Sequence, residues 1–160
     1  MPSSSTAIER SRQIEQICLR LLARREHSQL ELLNKLALRG YTRQEALPVI
    51  AKISAENWQN DQRYAECYAR QRLEKGYGPS RIRFELQQRG IAAQDLDELV
   101  AEQYGDWQNL LLAVYRSKYD DNTALTHNEW FKRCRFLQQR GFSAELIKGL
   151  QLELQIKLGR

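Results

Sequence analysis

Six basic side chains lie close together in the middle of this 160-residue chain, between Arg70 and Arg89. Only two acidic side chains, Glu74 and Glu85, accompany them. Guanidinium and ammonium groups at this density can hold phosphates or carboxylates, and arginine can do so with two parallel hydrogen bonds. Such charges also occur on solvated helix faces, and Arg81 and Glu85 have the spacing of an ordinary i,i+4 pair. The run therefore predicts either an anion-binding surface or a solvated helix face.

A joint between two predicted helices lies at the centre of this run. The first helix begins near Asp61 and should end near Lys75, because Gly76 suits the left-handed position that follows a helix end. Gly78 can cap the next helix, and Pro79 fits its first turn, where a missing N–H and a fixed φ are tolerated. The joint is therefore predicted to be short and stiff.

One aromatic side chain, Phe84, accompanies the charges on the second of these helices. At 100° per residue it lies nearly opposite Ile82 and Leu86, which mark the core side. An aromatic on an outer face either packs against a neighbouring module or contacts a partner. We expect packing.

A second basic run occurs further along the chain, on another predicted helix. Its cations are Lys132, Arg133 and Arg135, and they are interleaved with the apolar residues Trp130, Phe131, Phe136 and Leu137. Positive charge and aromatic surface are therefore mixed on this helix.

The composition narrows the class of protein. A net charge of +5 and an isoelectric point near 9.2 favour a polyanionic partner, although this charge also serves solubility. Cys18, Cys67 and Cys134 lie far apart in amphipathic patterns, so we expect small core residues in a reducing compartment. With only His27 and His127 and no C-x-x-C pair, no metal site is expected. The lack of a signal-like or bilayer-spanning segment predicts a cytoplasmic protein without membrane association.

The sequence has no pattern typical of catalysis or of cofactor binding. Gly76-Tyr77-Gly78 lies between helices rather than after a strand, so it does not form a nucleotide-binding loop. The carboxylates of residues 95–98 and 120–121 occupy loop and cap positions without an acid, base or metal partner nearby in sequence. We therefore expect neither enzymatic activity nor a bound cofactor.

Apolar residues recur at intervals of three and four along most of the chain, which predicts amphipathic helices. Residues 1–10 form a predicted mobile tail, and the first helix runs over residues 11–25. Capping boxes at Ser28 and Thr42 begin the next two helices. Pro48 predicts a kink in the third helix, or a helix that begins only just before it.

The later helices are placed by the same spacing. Asp61 is the predicted N-cap of the fourth helix, whose inner stripe is expected to be Tyr64, Cys67, Tyr68 and Gln71. The sixth helix is predicted over residues 91–104, and a polar loop over residues 120–128.

One pattern, L-x-x-R-G followed by an apolar residue, occurs three times. The copies are Leu36–Tyr41, Leu86–Ile91 and Leu137–Phe142, and their glycines are Gly40, Gly90 and Gly141. The glycines are 50 and 51 residues apart, which is the period of a three-helix unit. Each arginine can offset the helix dipole and each glycine can turn the chain with a positive φ. We therefore expect structural roles for Arg39, Arg89 and Arg140.

The repeat predicts an all-α fold. Since a 50-residue unit buries little surface by itself, three tandem three-helix, helix-turn-helix-like repeats should stack into an elongated curved body. Their predicted limits are residues 11–57, 58–105 and 106–160.

The middle repeat contains a specific series of residues, Asp61-Gln62-Arg63-Tyr64-Ala65, Tyr68, Arg72, Lys75-Gly76-Tyr77-Gly78-Pro79, Arg81-Ile82-Arg83, Glu85-Leu86 and Arg89-Gly90-Ile91. With this series it resembles the RecX regulators of the bacterial RecA recombinase. Residues 28–36 also resemble the first module of that family, whereas the third module matches more by spacing. Gln59-Asn60 departs from the family, which commonly has a hydrophobic and an acidic residue there.

The resemblance implies a regulator, not an enzyme, with roles in recombination, DNA repair and the SOS response. It implies a monomer that lies in the groove of the RecA–DNA filament and limits filament growth, strand exchange and ATP hydrolysis. Single-stranded or duplex DNA would be met through the filament. The implied contact residues are Arg70, Arg72, Lys75, Tyr77, Arg81 and Arg83, followed by Lys132, Arg133 and Arg135. Gly76, Gly78 and Pro79 would set the helix angle that presents them.

Two other functions are compatible with the residues. A general DNA-binding protein of helix-turn-helix-like repeats is one, because Gln87 and Gln88 accompany arginines on the helix that begins at Pro79. A repeat scaffold that binds only proteins is the other.

Overall fold

The computed structural model describes residues 4–92 and 95–159. In these ranges the elements are α1 Ser4–Arg24, α2 Gln29–Leu38, α3 Arg43–Ala55, α4 Asp61–Glu74, α5 Pro79–Gln88, α6 Asp97–Tyr104, α7 Trp107–Lys118, β1 Ala124–Thr126, α8 His127–Gln139, α9 Ala144–Leu154 and β2 Lys157–Gly159. The prediction of an all-α fold of tandem three-helix repeats is confirmed. None of the described helices is long and apolar enough to cross a membrane.

The chain forms two compact units, and the chain passes from one to the other within α4, within α5 and again after α5. The first is Met1–Cys67 with Leu86–Ala92, and the second is Tyr68–Glu85 with Ala93–Arg160.

In the first unit, α1 and α2 both pack against α3. The core consists of Ile14, Ile17, Cys18, Leu32, Leu36, Ala46, Val49, Ile50 and Ile53. Burial raises the pKa of the Cys18 thiol to about 11, as expected for an apolar site. The prediction for the cysteines is wrong at Cys67, which is exposed, and Cys134 is half-buried.

Capping boxes begin α2 and α3 as predicted. The Ser28 side chain accepts from the backbone of Glu31, the Thr42 side chain accepts from that of Glu45, and both glutamates bond back to the cap. Since Thr42 fixes the start of α3, the helix includes Pro48, and the alternative of a later start is wrong. A third capping box, at Thr126, begins α8.

Arg10 accounts for the early start of α1, at Ser4 rather than at residue 11. Its Nε lies 2.5 Å from Glu45 Oε1, and its Nη2 donates to the Gly40 carbonyl at 3.2 Å. These bonds hold the first turns of α1 against the α2–α3 region. Residues 1–3 of the predicted tail lie outside the described residues.

The segment that departs from the RecX pattern is well packed. Gln59 is fully buried, and its Nε2 donates to the His27 carbonyl at 3.2 Å and to Asp61 Oδ1 at 2.8 Å. Asn60 Oδ1 accepts from the Arg63 N–H at 3.0 Å. Asn60 rather than Asp61 is therefore the N-cap of α4, which corrects the prediction.

The inner stripe of α4 also differs from the prediction. Its buried residues are Tyr64, Ala65, Ala69 and Leu73, whereas Cys67 and Gln71 are exposed. Ala65, Ala69 and Leu73 recur every four residues on one helix face. Alanine contributes little to a hydrophobic pattern in sequence. The prediction therefore followed the larger side chains of α4 and placed the buried face a fraction of a helical turn away from its actual position.

The sixth helix begins at Asp97, later than the predicted residue 91. The Ile91 N–H bonds to the Leu86 carbonyl at 3.0 Å and so belongs to the closure of α5. The Asp97 N–H bonds to Asp95 Oδ1 at 3.1 Å, a local bond that competes with helix formation. Residues 93 and 94 of the predicted helix lie outside the described residues.

In the second unit, α7 packs against α6 and α9, and α8 contacts α9 and both strands. The strands pair in parallel, with Leu125 opposite Leu158. This pair corrects the predicted loop over residues 120–128. Strands of three residues are too short to show an alternating pattern in sequence.

Candidate partner-binding surface

The α4–α5 joint has the geometry that the sequence predicts. Gly76 has φ +83°, and the Tyr77 N–H bonds to the Arg72 carbonyl at 3.0 Å, which closes α4. The Ile82 N–H bonds to the Gly78 carbonyl at 3.2 Å, so Gly78 caps α5 and the proline that follows it opens the helix.

This joint packs, backbone to backbone, on the turn between α8 and α9. The Gly78 N–H donates to the Arg140 carbonyl at 2.7 Å, and the Ser80 N–H donates to the Gly141 carbonyl at 3.1 Å. A Cβ atom on Gly78 would lie only 2.6 Å from the Gly141 carbonyl carbon. A glycine is therefore needed at position 78 for this contact.

Three arginines surround the ring of Tyr77. Their guanidinium carbons lie 3.7 Å (Arg72), 4.6 Å (Arg140) and 5.0 Å (Arg81) from the ring centroid, which is the range of cation–π contacts. Arg140 Nη1 also donates to the Lys75 carbonyl at 2.7 Å. The predicted structural role of Arg140 thus has a physical basis in the last turn of α4.

Glu85 offsets the charge of these arginines. It accepts hydrogen bonds from the Tyr68 hydroxyl, from Arg72 Nη2 at 2.7 Å and from Arg81 Nε at 3.0 Å. Burial by itself would raise the pKa of Glu85, but these three bonds outweigh it and hold the pKa below its usual range. We call Arg72, Tyr77, Arg81, Glu85 and Arg140 the Tyr77 cluster.

Three of the predicted contact residues thus belong to an internal network. The Arg72 side chain is only 18% exposed, and Tyr77 is half-buried. Arg81 is more accessible, at 44%, but its Nη1 also donates to the Gln139 carbonyl at 3.0 Å. These side chains stabilise the joint.

Other predicted contact residues face solvent. Lys75 and Arg83 are exposed and form no ion pair within the described part of the chain. Arg70 is half exposed and lies 3.5 Å from Glu102 in an exposed ion pair. Phe84 is 59% exposed, so the expectation that it packs against a module is wrong.

The second basic run likewise contains both an internally bonded cation and cations that face solvent. Arg133 is 15% exposed, donates to the Tyr115 hydroxyl at 2.7 Å and lies 3.5 Å from Asp120. Lys132 and Arg135 are exposed and have no ion pair with a described residue. Arg133 therefore stabilises the second unit, while its two neighbours face solvent.

Two features were missed by sequence reasoning. The i,i+4 spacing pairs Glu85 only with Arg81, although Glu85 also accepts hydrogen bonds from Arg72 and Tyr68. Glu85 is the single acidic residue of α5, and this could have indicated that several cations share it. Phe131, 63% exposed, lies one helical turn before Arg135. Nothing in its spacing separates it from the buried Trp130 beside it.

Family models match all three helical repeats. The first three-helix domain of RecX matches residues 16–52, the second matches residues 60–100 and the third matches residues 106–149. The joint and most of the Tyr77 cluster lie within the second match.

Curated relatives and solved structures agree with these models. The chain is 37% identical over 138 residues to "Regulatory protein RecX" of Halorhodospira halophila, covering 86% of each chain. It is 38% identical over 133 residues to "Regulatory protein RecX" of Vibrio campbellii, covering 83% of this chain and 86% of the relative. The crystal structure of RecX from Lactobacillus salivarius has the same fold, with a TM-score of 0.76 at 21% identity over 94% of this chain and 99% of that one. The chain belongs to the RecX family of regulatory proteins.

Proposed function

We propose that this protein regulates the RecA recombinase, most directly by inhibition. It binds the RecA–DNA filament in the helical groove as a monomer, and it limits filament growth, strand exchange and ATP hydrolysis. In this way it acts in the regulation of recombination, DNA repair and the SOS response in the cytoplasm. Family membership supports the regulatory role.

The observation that carries the proposal is a set of exposed cations in the second unit that have no ion pair with a described residue. The predicted contact residues among them are Lys75, Arg83, Lys132 and Arg135. Such cations can meet phosphates or acidic side chains without breaking an internal bond. The exposed ring of Phe84 lies on α5 with Arg83, and that of Phe131 lies on α8 with Lys132 and Arg135. Both rings add apolar contact area.

The predicted contact residues that make internal bonds have a different part in this proposal. Arg72, Tyr77 and Arg81 fix the joint from which Lys75 and Arg83 project, and Arg133 fixes α8. Their substitution would weaken binding through loss of structure. Residues that hold the fold and exposed cations without an ion pair must therefore be tested separately.

The test is a titration of the protein into recombinase filaments preformed on single-stranded DNA, with ATP hydrolysis as the readout. Binding to the bare DNA is measured in parallel at the same salt concentration, because phosphate contacts are strongly salt-dependent. We expect hydrolysis to fall at protein amounts well below those of the recombinase, with weak binding to bare DNA. Unchanged hydrolysis would overturn the proposal.

Charge reversal at Arg83 and Arg135 tests the surface itself. The double variant Arg83→Glu, Arg135→Glu removes no described ion pair, so its fold should persist, and inhibition should be lost. Arg20→Glu with Arg24→Glu, two exposed positions on α1, is the matched control and should inhibit like the parent. Arg81 is not suitable for this test, because a glutamate there would face Glu85.

A general DNA-binding function remains the second candidate. The outer face of α5 exposes Arg83, Gln87 and Gln88, the residue types that read base edges. If DNA contact dominates, the double reversal should abolish binding to bare DNA as well as to filaments. If the contact is with recombinase subunits, only filament binding should be lost.

A further inference from the structure

A tryptophan of the first unit faces solvent. Trp58, in the segment between α3 and α4, is 61% exposed, whereas Trp107 is half-buried and Trp130 is buried. Single exposed apolar side chains are common on protein surfaces, so this exposure by itself indicates no function. The way in which the chain holds the ring, and the charges beside it, indicate one.

The backbone around Trp58 is fixed by hydrogen bonds on both sides. The Trp58 N–H donates to the Ile53 carbonyl at 3.0 Å. Arg63 Nη2 donates to the carbonyls of Asn57 and Trp58, both at 3.1 Å. Arg63 is itself held by Glu26, whose Oε1 lies 2.6 Å from the Arg63 Nε. The indole therefore projects from a fixed turn, and a partner would not have to order this segment on binding.

The turn includes a left-handed residue that is not glycine. Asn57 has φ +64°, and its N–H donates to the Ser54 carbonyl at 2.9 Å, which closes α3. Gln59, two residues further on, is fully buried. The turn thus buries Gln59 and leaves the neighbouring indole of Trp58 in solvent. A rigid, exposed tryptophan offers a large contact area at a low cost in side-chain entropy.

The charges near Trp58 are mainly negative. Residues 53–67 contain three acidic side chains and a single basic one, in a protein whose net charge is +5. The acidic side chains are Glu56, Asp61 and Glu66. The basic one, Arg63, is paired with Glu26, whereas Glu56 is exposed and has no ion pair with a described residue. These surroundings attract a cation and repel phosphates.

The ring and its charges together narrow the class of occupant. Tryptophan is the aromatic ring that attracts cations most strongly, over distances of up to about 6 Å from the ring centroid. A nucleobase can stack on the same kind of ring, but its phosphates would meet acidic side chains here. An apolar side chain would leave Glu56 without a counter-charge. A lysine or arginine side chain suits both the ring and the carboxylate.

We propose that Trp58 binds a lysine or arginine side chain of a protein partner. The cation lies over the indole face, and the Glu56 carboxylate offsets its charge. The inference rests on the proposed function, since the partner is a subunit of the recombinase filament. It assigns to the first unit a contact whose charge is opposite to that of the exposed cations in the second unit.

Co-sedimentation with recombinase filaments preformed on single-stranded DNA tests this contact. Trp58→Ala should weaken binding by at least about tenfold, as expected for a tryptophan at the centre of an interface. Trp58→Phe keeps a ring that attracts cations less strongly, and it should weaken binding about threefold. Leu38→Ala is the control, because it removes another exposed apolar side chain of the first unit and should bind like the parent.

A charge at position 58 identifies the chemistry of the occupant. Trp58→Glu supplies a carboxylate that can pair with the partner's cation, whereas Trp58→Lys places two like charges together. The glutamate variant should therefore bind at least about fivefold more tightly than the lysine variant, although lysine favours any polyanion. Because the position is exposed, the melting temperatures of both variants should stay close to that of the parent.

Two results would overturn the inference alone. One is equal binding of the parent and Trp58→Ala. The other is tighter binding of Trp58→Lys than of Trp58→Glu, which would assign the ring to the nucleic acid of the filament. A parent chain that does not sediment with filaments would overturn the proposed function and this inference together, so the parent distinguishes the two failures.

Discussion

The turns at Gly40 and Gly141 have the same backbone but different surroundings. In each, the residue after the glycine bonds back to the leucine of the repeat at 3.1 Å, from Tyr41 to Leu36 and from Phe142 to Leu137. A Cβ atom on Gly40 would meet nothing within 4 Å. On Gly141 it would press against the Cβ of Arg81 and lie 2.6 Å from its backbone nitrogen.

The carbonyls of the two turns are also satisfied differently. At the first turn the long side chain of Arg10, held by Glu45, reaches the Gly40 carbonyl. At the second turn the backbone of α5 reaches the Gly141 carbonyl, through the Ser80 N–H. One local pattern therefore serves as an open helix end in the first unit and as a packing joint in the second.

Replacing each of the two glycines by alanine should give the largest difference in stability between the two turns. Both substitutions place a side chain at positive φ, +89° at residue 40 and +103° at residue 141. Gly40→Ala should lower the free energy of unfolding by about 1 kcal/mol, the cost of the left-handed backbone. Gly141→Ala adds overlap with Arg81, which cannot move without α5, and should cost at least about 3 kcal/mol.

Urea unfolding followed by circular dichroism measures both variants. Equal costs would show that the joint opens easily and that the contact of Gly78 with the α8–α9 turn contributes little.

The glutamates of the two turns provide the next contrast. Glu85 orients Arg81 beside the Gly141 turn and is 11% exposed, whereas Glu45 orients Arg10 at the Gly40 turn and is 31% exposed. Glu85→Gln leaves Arg72 and Arg81 close together without a counter-charge. It should cost about 2 kcal/mol, the value of charged hydrogen bonds.

Glu45→Gln is the control, since glutamine keeps the capping box and the site is more open to water. Its effect on the urea midpoint should be the smaller of the two. The reverse order would mean that the Tyr77 cluster does not stabilise the joint.

These contrasts separate what a sequence can predict here from what it cannot. The helix ends follow from neighbouring residues, so the turns at the three glycines and the caps at Ser28 and Thr42 were predictable. Burial of Arg72 and Arg133 was not, because it depends on where distant groups lie: Glu85 for Arg72, Tyr115 for Arg133. Charge density along the chain cannot distinguish an arginine that holds the fold from Arg83, which faces solvent.

The arginines of the repeat give a smaller contrast. Arg140 Nη1 bonds to the Lys75 carbonyl and its guanidinium stacks on Tyr77, whereas Arg39 is exposed at the end of α2. Arg140→Gln should cost about 1 kcal/mol, and Arg39→Gln less than about 0.5 kcal/mol. Thermal melts of the two variants provide the check. A larger loss of melting temperature for Arg39→Gln than for Arg140→Gln would contradict the assignment of the joint to the second unit.

The smallest expected effect concerns the acid titration of the Gly40 turn. Arg10, followed by the Thr42 backbone N–H, lowers the pKa of Glu45 to about 2 from an ordinary value of 4.5. Because the folded-state pKa lies below the unfolded one, Glu45 stabilises the fold fully above pH 4.5, and this contribution is lost as the pH falls toward 2.

The side-chain carboxyl resonance of Glu45, measured by NMR against pH, should show this midpoint directly. Arg10→Gln should return it toward 4.5. Arg12→Gln is the control, because the Arg12 guanidinium lies 3.8 Å from Glu9 instead, and it should leave the midpoint unchanged. A midpoint near 4.5 in the parent would show that Arg10 does not hold Glu45 in solution, and the Gly40 turn would then be open to water on its carbonyl side as well.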